Sequence, residues 1–147
     1  MKPLHNAITQ EQTDLVIRLI KEGSDVNEED ENGWTPMQIA CQKGNVEIVK
    51  ILRQHKARII RVNSQQRWVS SYSSPLHIAI FEGHSEIVKV LCESKMSVND
   101  ETVCGNTALH LAVEKGFVEI TKLLIASGSY LDLKNDEGMT PLMKATY

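Results

Sequence analysis

A short motif recurs along the chain at nearly constant spacing, and this recurrence constrains the fold more than any other feature. The motif has the form Thr/Ser-Pro-Leu-His, and its second residue lies at positions 3, 36, 75, 108 and 141. Three of the four intervals are therefore identical, and only the interval from 36 to 75 is longer. A fixed period of this kind predicts a stack of similar supersecondary units. The five copies of the motif span residues 2–5, 35–38, 74–77, 107–110 and 140–143.

Each motif is followed by the pattern of two short helices. A hydroxyl residue such as Thr35 caps a helix whose first residue is Pro36, at a position where the missing N–H is not needed. In the third unit Gly83 is expected to end the first helix, and a second helix follows from Ser85 with apolar residues on one side. Helices of about eight to ten residues are unstable alone in water, so the pairs must stack on one another.

These residues resemble the ankyrin repeat, which carries Thr-Pro-Leu-His at the head of its first helix and has a period of about 33 residues. The resemblance covers the chain as one domain, 1–147, with units at about 1–30, 31–69, 70–102 and 103–135 and a partial unit at 136–147. It implies a mainly α-helical solenoid of helix-turn-helix units with projecting β-hairpin loops. It also implies that the motif histidines tie neighbouring units together, and that loop tips and first helices form a concave face that binds other macromolecules.

The longer interval places an insertion before Ser74, and we expect one hairpin to be extended there. The segment 56–72 carries four cations and no acidic residue, in a chain whose net charge is −3. Because arginine and aromatic side chains often anchor protein interfaces, one interpretation is a recognition element. The other is a tolerated loop insertion, which costs a solenoid little stability. Recognition would rest on Arg58, Arg61, Arg67, Trp68 and Tyr72.

Three further binding residues follow from the resemblance. Trp34 matches a loop-tip position, and Phe81 and Glu114 match positions on first helices, all on the concave side. The two aromatic residues are unusual because the family has polar or variable residues at these positions. A binding role is one interpretation of Trp34 and Phe81, and packing against an adjacent loop is the other.

Several residues depart from the repeated pattern. Asn6 is polar where the other units have Ile or Leu, which suits a terminal unit that faces solvent. Glu11, Lys56 and Lys95 replace the glycines that end helices elsewhere, so these turns are expected to be less stable. The fifth unit reaches Tyr147 before any second helix, from which we expect either a piece of a longer protein or a minimal cap.

Other kinds of chemistry are not indicated by the sequence. It contains no glycine-rich phosphate-binding motif, no His-Glu-x-x-His motif, no nucleophilic serine motif and no calcium-binding loop. The three cysteines are widely spaced and read as reduced thiols, which indicates the cytoplasm or the nucleus. No apolar run is long enough to span a membrane. We therefore expect no catalytic residue, no metal, no cofactor and no membrane span.

The leading hypothesis is a non-catalytic module that binds a protein or peptide partner and is monomeric as an isolated domain. A first alternative is the targeting or regulatory domain of a larger enzyme or channel. A second is phosphate or nucleic-acid recognition by the basic finger, 56–72, which the acidic remainder of the chain disfavours.

Overall fold

The computed structural model describes residues 2–59, 74–94 and 98–146. Arg61, Arg67, Trp68, Tyr72 and Lys95 therefore lie outside the described residues, as does the predicted extension of the hairpin. Within the described ranges the chain forms nine helices and one isolated antiparallel bridge, which joins Glu101 and Thr107. The helices are α1 (Pro3–Thr9), α2 (Thr13–Lys21), α3 (Pro36–Lys43), α4 (Val46–Gln54), α5 (Pro75–Phe81), α6 (Ser85–Cys92), α7 (Ala108–Glu114), α8 (Val118–Ala126) and α9 (Pro141–Lys144).

The helices form pairs, and the pairs stack in two rows. Within a unit, α1 packs on α2, α3 on α4, α5 on α6 and α7 on α8. Between units, the first helices α1, α3, α5, α7 and α9 contact one another in series, and so do the second helices α2, α4, α6 and α8. This arrangement is the helical solenoid that the period predicts.

The first helices begin as the sequence predicts. The side chains of Thr35, Ser74 and Thr107 accept hydrogen bonds from the backbone N–H groups of Gln38, His77 and His110, at 3.3–3.4 Å. Pro36 and Pro75 occupy the first helical positions. A cap of this kind contributes about 1 kcal/mol, so it fixes where each short helix begins.

Two of the predicted weak turns contain strained residues. Glu11 has a φ of 56° and Lys56 a φ of 62°, both in the left-handed region that disfavours side chains. The turn at Glu11 is otherwise regular, because the Gln12 N–H donates to the Ala7 carbonyl at 2.9 Å. Each strained residue costs about 1 kcal/mol relative to glycine.

The core runs between the two rows without interruption. The third residue of the motif is 0–3% exposed in four units, at Leu4, Met37, Leu76 and Leu109. Asn6 is exposed, as expected for a terminal unit, whereas its equivalents in the next three units are buried. The second helices contribute Ile48, Val49, Leu52, Ile87, Val88, Leu91, Ile120 and Leu124 to the same core.

Motif histidines tie neighbouring units together. The Thr107 N–H donates to Nδ1 of His110 at 3.1 Å, so Nε2 carries the ring proton and donates to the Met139 carbonyl at 2.8 Å. In the first unit, Nε2 of His5 donates to the Trp34 carbonyl at 3.0 Å. These bonds cross from one unit to the loop of the next, as the resemblance implies.

The first unit lacks the hydroxyl that accompanies this histidine elsewhere. In the fourth unit the Thr107 hydroxyl lies 2.8 Å from Nδ1 of His110. Lys2 takes the place of that threonine, its side chain makes no capping bond, and Nδ1 of the fully buried His5 has no hydrogen-bond partner within the described residues. A buried polar atom left in this state costs about 1–3 kcal/mol.

We therefore expect Lys2→Thr to raise the free energy of unfolding by about 1 kcal/mol or more, because the new hydroxyl caps α1 and donates to His5. The ion pair between Lys2 and Glu28 is lost, but such a partly exposed pair contributes only about 0–1 kcal/mol. Lys2→Val is the matched control, since valine has the shape of threonine without the hydroxyl. Urea denaturation compares the two variants, and equal stabilities would contradict the explanation.

Candidate protein-binding surface

The C-terminal ends of the first helices form a row on the surface. Gln42, Phe81 and Glu114 occupy equivalent positions near the ends of α3, α5 and α7, and these helices contact one another in series. Packed helices lie about 8–10 Å apart, so the three side chains follow one another at about that interval. Gln42 and Glu114 are exposed and Phe81 is half-buried.

The Phe81 ring is fixed by a residue of the next unit. Nζ of Lys115 lies 4.0 Å from the centroid of the ring, in a cation–π contact. Lys115 directly follows α7, so this contact crosses from the third unit to the fourth. The contact therefore joins the ends of the first helices of two successive units at the surface.

Lys144 joins a first helix to a loop tip further along the row. Its Nζ lies 3.4 Å from Oε2 of Glu114 and 3.9 Å from Oε2 of Glu137. The Lys144 side chain is only 16% exposed, whereas both carboxylates are largely exposed. The two ionic contacts join the α7 end to the loop that precedes α9.

An open depression of about 830 Å³ lies at this point. One side is formed by Glu114, Met143 and Lys144 on the helices, and the other by the loop residues Glu137 and Met139. Methionine side chains adapt to differently shaped partners. The two carboxylates outnumber the single ammonium of Lys144 that they contact, so the lining keeps a net negative charge, which favours a cationic group. The depression therefore has the chemistry to accept an apolar side chain that carries or adjoins a positive charge.

Trp34 has a structural role in the loop before α3. The backbone N–H of Trp34 donates to Oδ1 of Asp30 at 2.9 Å. The backbone carbonyl of Trp34 accepts hydrogen bonds from the Asp30 N–H and from Nε2 of His5. The half-buried side chain packs against the core. Packing against the core thus explains why part of the Trp34 indole is buried. A binding role for the exposed part of the ring stays a prediction.

Arg58 is the one predicted finger residue among those that the structure describes. Its N–H donates to Oδ1 of Asn27 at 2.7 Å, and the same bond joins the Tyr130 N–H to Asn99 at 2.8 Å in a later unit. The Arg58 side chain is exposed. The other four finger residues, Arg61, Arg67, Trp68 and Tyr72, lie outside the described ranges, so their role stays a prediction.

The sequence interpretation missed Lys144 and Met143, although Lys144 carries a detectable signal. It occupies the position that Ile39, Ile78 and Leu111 hold in the preceding units. A cation at a normally apolar position needs a counter-charge, and Glu114 of the preceding unit supplies it.

The surface offers no indication of catalysis or metal binding in the part of the chain that the structure describes. Cys41 is buried and Cys92 is half-buried, and burial raises the pKa of both thiols, so neither is a ready nucleophile at neutral pH. Within the described ranges, no three His, Cys, Asp or Glu side chains come together in a way that could hold a metal ion. None of the described helices has the length and apolar character to cross a bilayer.

A family model described as "Ankyrin repeats (3 copies)" matches residues 4–102 and 95–147, and the chain therefore belongs to the ankyrin repeat family. Such repeats are generally protein-binding and are not catalytic by themselves. Similar proteins include Potassium channel AKT1 from Arabidopsis thaliana, which is 38% identical over 58 residues, and NF-kappa-B inhibitor alpha from Gallus gallus, 42% identical over 53 residues. Protein phosphatase 1 regulatory subunit 27 from Mus musculus is 41% identical over 49 residues.

These similarities are partial on both sides. They cover 38%, 36% and 33% of this chain, and 7%, 17% and 32% of the channel, the inhibitor and the regulatory subunit, respectively. The chain therefore spans less than a third of the length of each of these relatives.

Proposed function

We propose that this chain is a non-catalytic protein-binding module that takes a protein or peptide segment along the row containing Phe81 and Glu114 and against the adjoining loop tips. The observation that carries the proposal is the depression lined jointly by α7, α9 and the loop between α8 and α9. We further propose that the domain acts as a monomer in the cytoplasm or nucleus.

The row has the properties of an interface anchor. Protein interfaces are enriched in aromatic residues, phenylalanine included, with polar groups around them, and Phe81 lies between exposed Gln42 and exposed Glu114. Lys115 and Lys144 already contact Phe81 and Glu114 in the structure of the chain alone. Binding to a pre-formed surface loses less conformational entropy, so a modest contact area is sufficient.

The first test replaces Phe81 and Glu114 together. We expect the variant Phe81→Ala/Glu114→Gln to bind an identified partner at least about tenfold more weakly, because a hot-spot side chain contributes about 2 kcal/mol. Partners are first captured with the wild-type chain from an extract, and their affinity for each variant is then measured by isothermal titration calorimetry.

A control with the same chemical changes is available elsewhere on the surface. Tyr130→Ala/Glu119→Gln likewise removes one aromatic ring and one exposed carboxylate, from a loop and from α8, although the Tyr130 ring is more exposed than the half-buried Phe81 ring. We expect this variant to bind like the wild type. Equal affinity of both variants would contradict the proposed surface.

The basic finger is tested separately. We propose that Arg61, Arg67 and Trp68 add affinity, since their residue types are enriched at interface cores. Replacing all three with alanine is expected to weaken partner binding while the thermal midpoint stays nearly unchanged. An unchanged affinity would show that the finger is a tolerated loop insertion that does not contribute to binding.

A second candidate function is that of a targeting or regulatory domain in a larger enzyme or channel. It is favoured by the partial similarity to a potassium channel, of which this chain spans 7%, and to 2-5A-dependent ribonuclease from Homo sapiens, of which it also spans 7%. Sequencing of full-length transcripts distinguishes the candidates, because a catalytic or pore-forming region in the same reading frame would support this one.

A further inference from the structure

The ammonium group of Lys115 lies on the ring that the proposed partner covers. Its Nζ is 4.0 Å from the centroid of the Phe81 ring, and the lysine is exposed whereas the phenylalanine is half-buried. In the part of the chain that the structure describes, no carboxylate forms an ion pair with Lys115. The ammonium group therefore depends on solvent water on the side that faces away from the ring.

The charges around this ring leave the cation in excess. The ends of the neighbouring helices α3, α5 and α7 carry four exposed charged residues, which are Lys43, Glu82, Glu114 and Lys115. Lys43 and Glu82 are opposite in charge and balance each other. The Glu114 carboxylate contacts the ammonium of Lys144 at 3.4 Å. The charge that is left next to the ring is thus the positive charge of Lys115, and it favours an anionic group on a partner.

A partner that covers the ring also changes the surroundings of the ammonium group. Removing a charged group from water is costly unless an opposite charge and hydrogen-bond acceptors replace the water. An uncharged partner would therefore force the lysine side chain away from the ring, and the cation–π contact would be lost. A partner carboxylate preserves this contact, which strengthens as water is excluded, and adds a charge-assisted hydrogen bond.

We propose that Lys115 selects a partner segment that carries an aspartate or glutamate beside the apolar side chain that contacts Phe81. This inference rests on the proposed function, because it requires that the partner covers Phe81. The partner carboxylate accepts a hydrogen bond from Nζ of Lys115 on the side of α7 that faces α5. The depression that favours a cationic group lies on the side that faces α9, so the two charges orient the bound segment along the row.

The probe is a phage-displayed library of random short peptides, selected in parallel against the wild-type chain and against Lys115→Glu. Peptides that bind the wild type are expected to carry Asp or Glu at a fixed spacing from an apolar residue. Peptides that bind Lys115→Glu are expected to carry Lys or Arg at that place, because the charge that is selected follows the charge at position 115.

Lys43→Glu is the matched control for this selection. It makes the same charge change at the equivalent position after α3, where the residue of the preceding unit that corresponds to Phe81 is Thr9, which has no ring. Peptides selected on Lys43→Glu are expected to retain the acidic residue. If both variants reverse the selected charge alike, the effect is one of overall charge, and the proposal for Lys115 is overturned.

Affinity measurements test the charge pair itself. For a selected acidic peptide, replacing its Asp or Glu with the corresponding amide is expected to weaken binding to the wild-type chain about tenfold at low salt. Lys115→Gln is expected to bind the two peptides alike, whereas Lys43→Gln is expected to distinguish them as the wild type does. Both lysines are exposed, so the variants are expected to fold, which circular dichroism verifies.

Phe81→Ala separates a failure of this inference from a failure of the proposed function. If the selected peptides bind Phe81→Ala as tightly as the wild type, they do not use the proposed surface, and both proposals are contradicted. If Phe81→Ala weakens their binding but the wild type and Lys115→Glu select peptides of the same charge, the proposed function stands. The role of Lys115 in selecting the partner is then overturned.

Discussion

The variant Gly105→Ala is expected to lower the free energy of unfolding by about 2–4 kcal/mol. Gly105 has a φ of 73°, which costs about 1 kcal/mol for alanine. A Cβ atom at this position would lie 2.9 Å from the backbone N of Asp136 and 3.2 Å from the Cα of Asn135. These atoms belong to the next loop, and the Asp136 N–H donates to the Cys104 carbonyl at 3.1 Å. The methyl group would therefore push two stacked loops apart, which adds about 1–3 kcal/mol.

Gly138 provides the matched control for this prediction. It lies in the equivalent turn of the next unit, with a φ of 75°, and a Cβ atom there would lie more than 4 Å from every other residue that the structure describes, its two chain neighbours excepted. Gly138→Ala thus introduces the same backbone strain without the collision, and a loss of about 1 kcal/mol is expected. Urea denaturation measures both variants. Equal losses would show that the loops are not stacked as closely as the structure describes.

The variant Leu91→Ala is expected to lower the free energy of unfolding by about 2–5 kcal/mol. Leu91 is fully buried on α6, in the middle of the stack, and its equivalents Leu52 and Leu124 are fully buried as well. Removal of its side chain leaves a cavity between rows of short helices that are unstable singly. Thermal and urea denaturation both measure the loss.

Leu142→Ala is the control for this substitution because Leu142 is 75% exposed. Its removal is expected to change stability by at most about 0.5 kcal/mol. If Leu142→Ala were as destabilising as Leu91→Ala, the assignment of core and surface along the stack would be wrong.

The helices of this fold can be predicted well from the sequence because the residues that begin each first helix lie next to it in the sequence. The capping residues Thr35 and Thr107 and the prolines after the caps act within one turn of helix, so they can be recognised without knowledge of the neighbours. Glu11 and Lys56 have a positive φ for the same reason, because glycine is absent where the repeat needs a left-handed residue, and the lower stability of these turns stays a prediction.

The details of the candidate surface depend on contacts between units, which the repeat pattern does not specify. The contact of Lys115 with Phe81 joins the fourth unit to the third, and the ion pair of Lys144 with Glu114 joins the fifth unit to the fourth. Both involve positions at which the units differ, so they follow from the particular side chains and not from the period. The unpartnered Nδ1 of His5 within the described ranges likewise requires knowledge of which atoms lie around a buried ring.

The proposed function requires that a partner contacts the row of first-helix ends in preference to the second helices, such as α8. Photo-crosslinking tests it directly, with p-benzoylphenylalanine placed at position 81 in one variant and at position 119 in another. Glu119 is exposed on the second helix α8, with its side chain 81% accessible. We expect a partner adduct from position 81 and none from position 119 in the same extract. An adduct from position 119 alone, or none from either position, would contradict the claim.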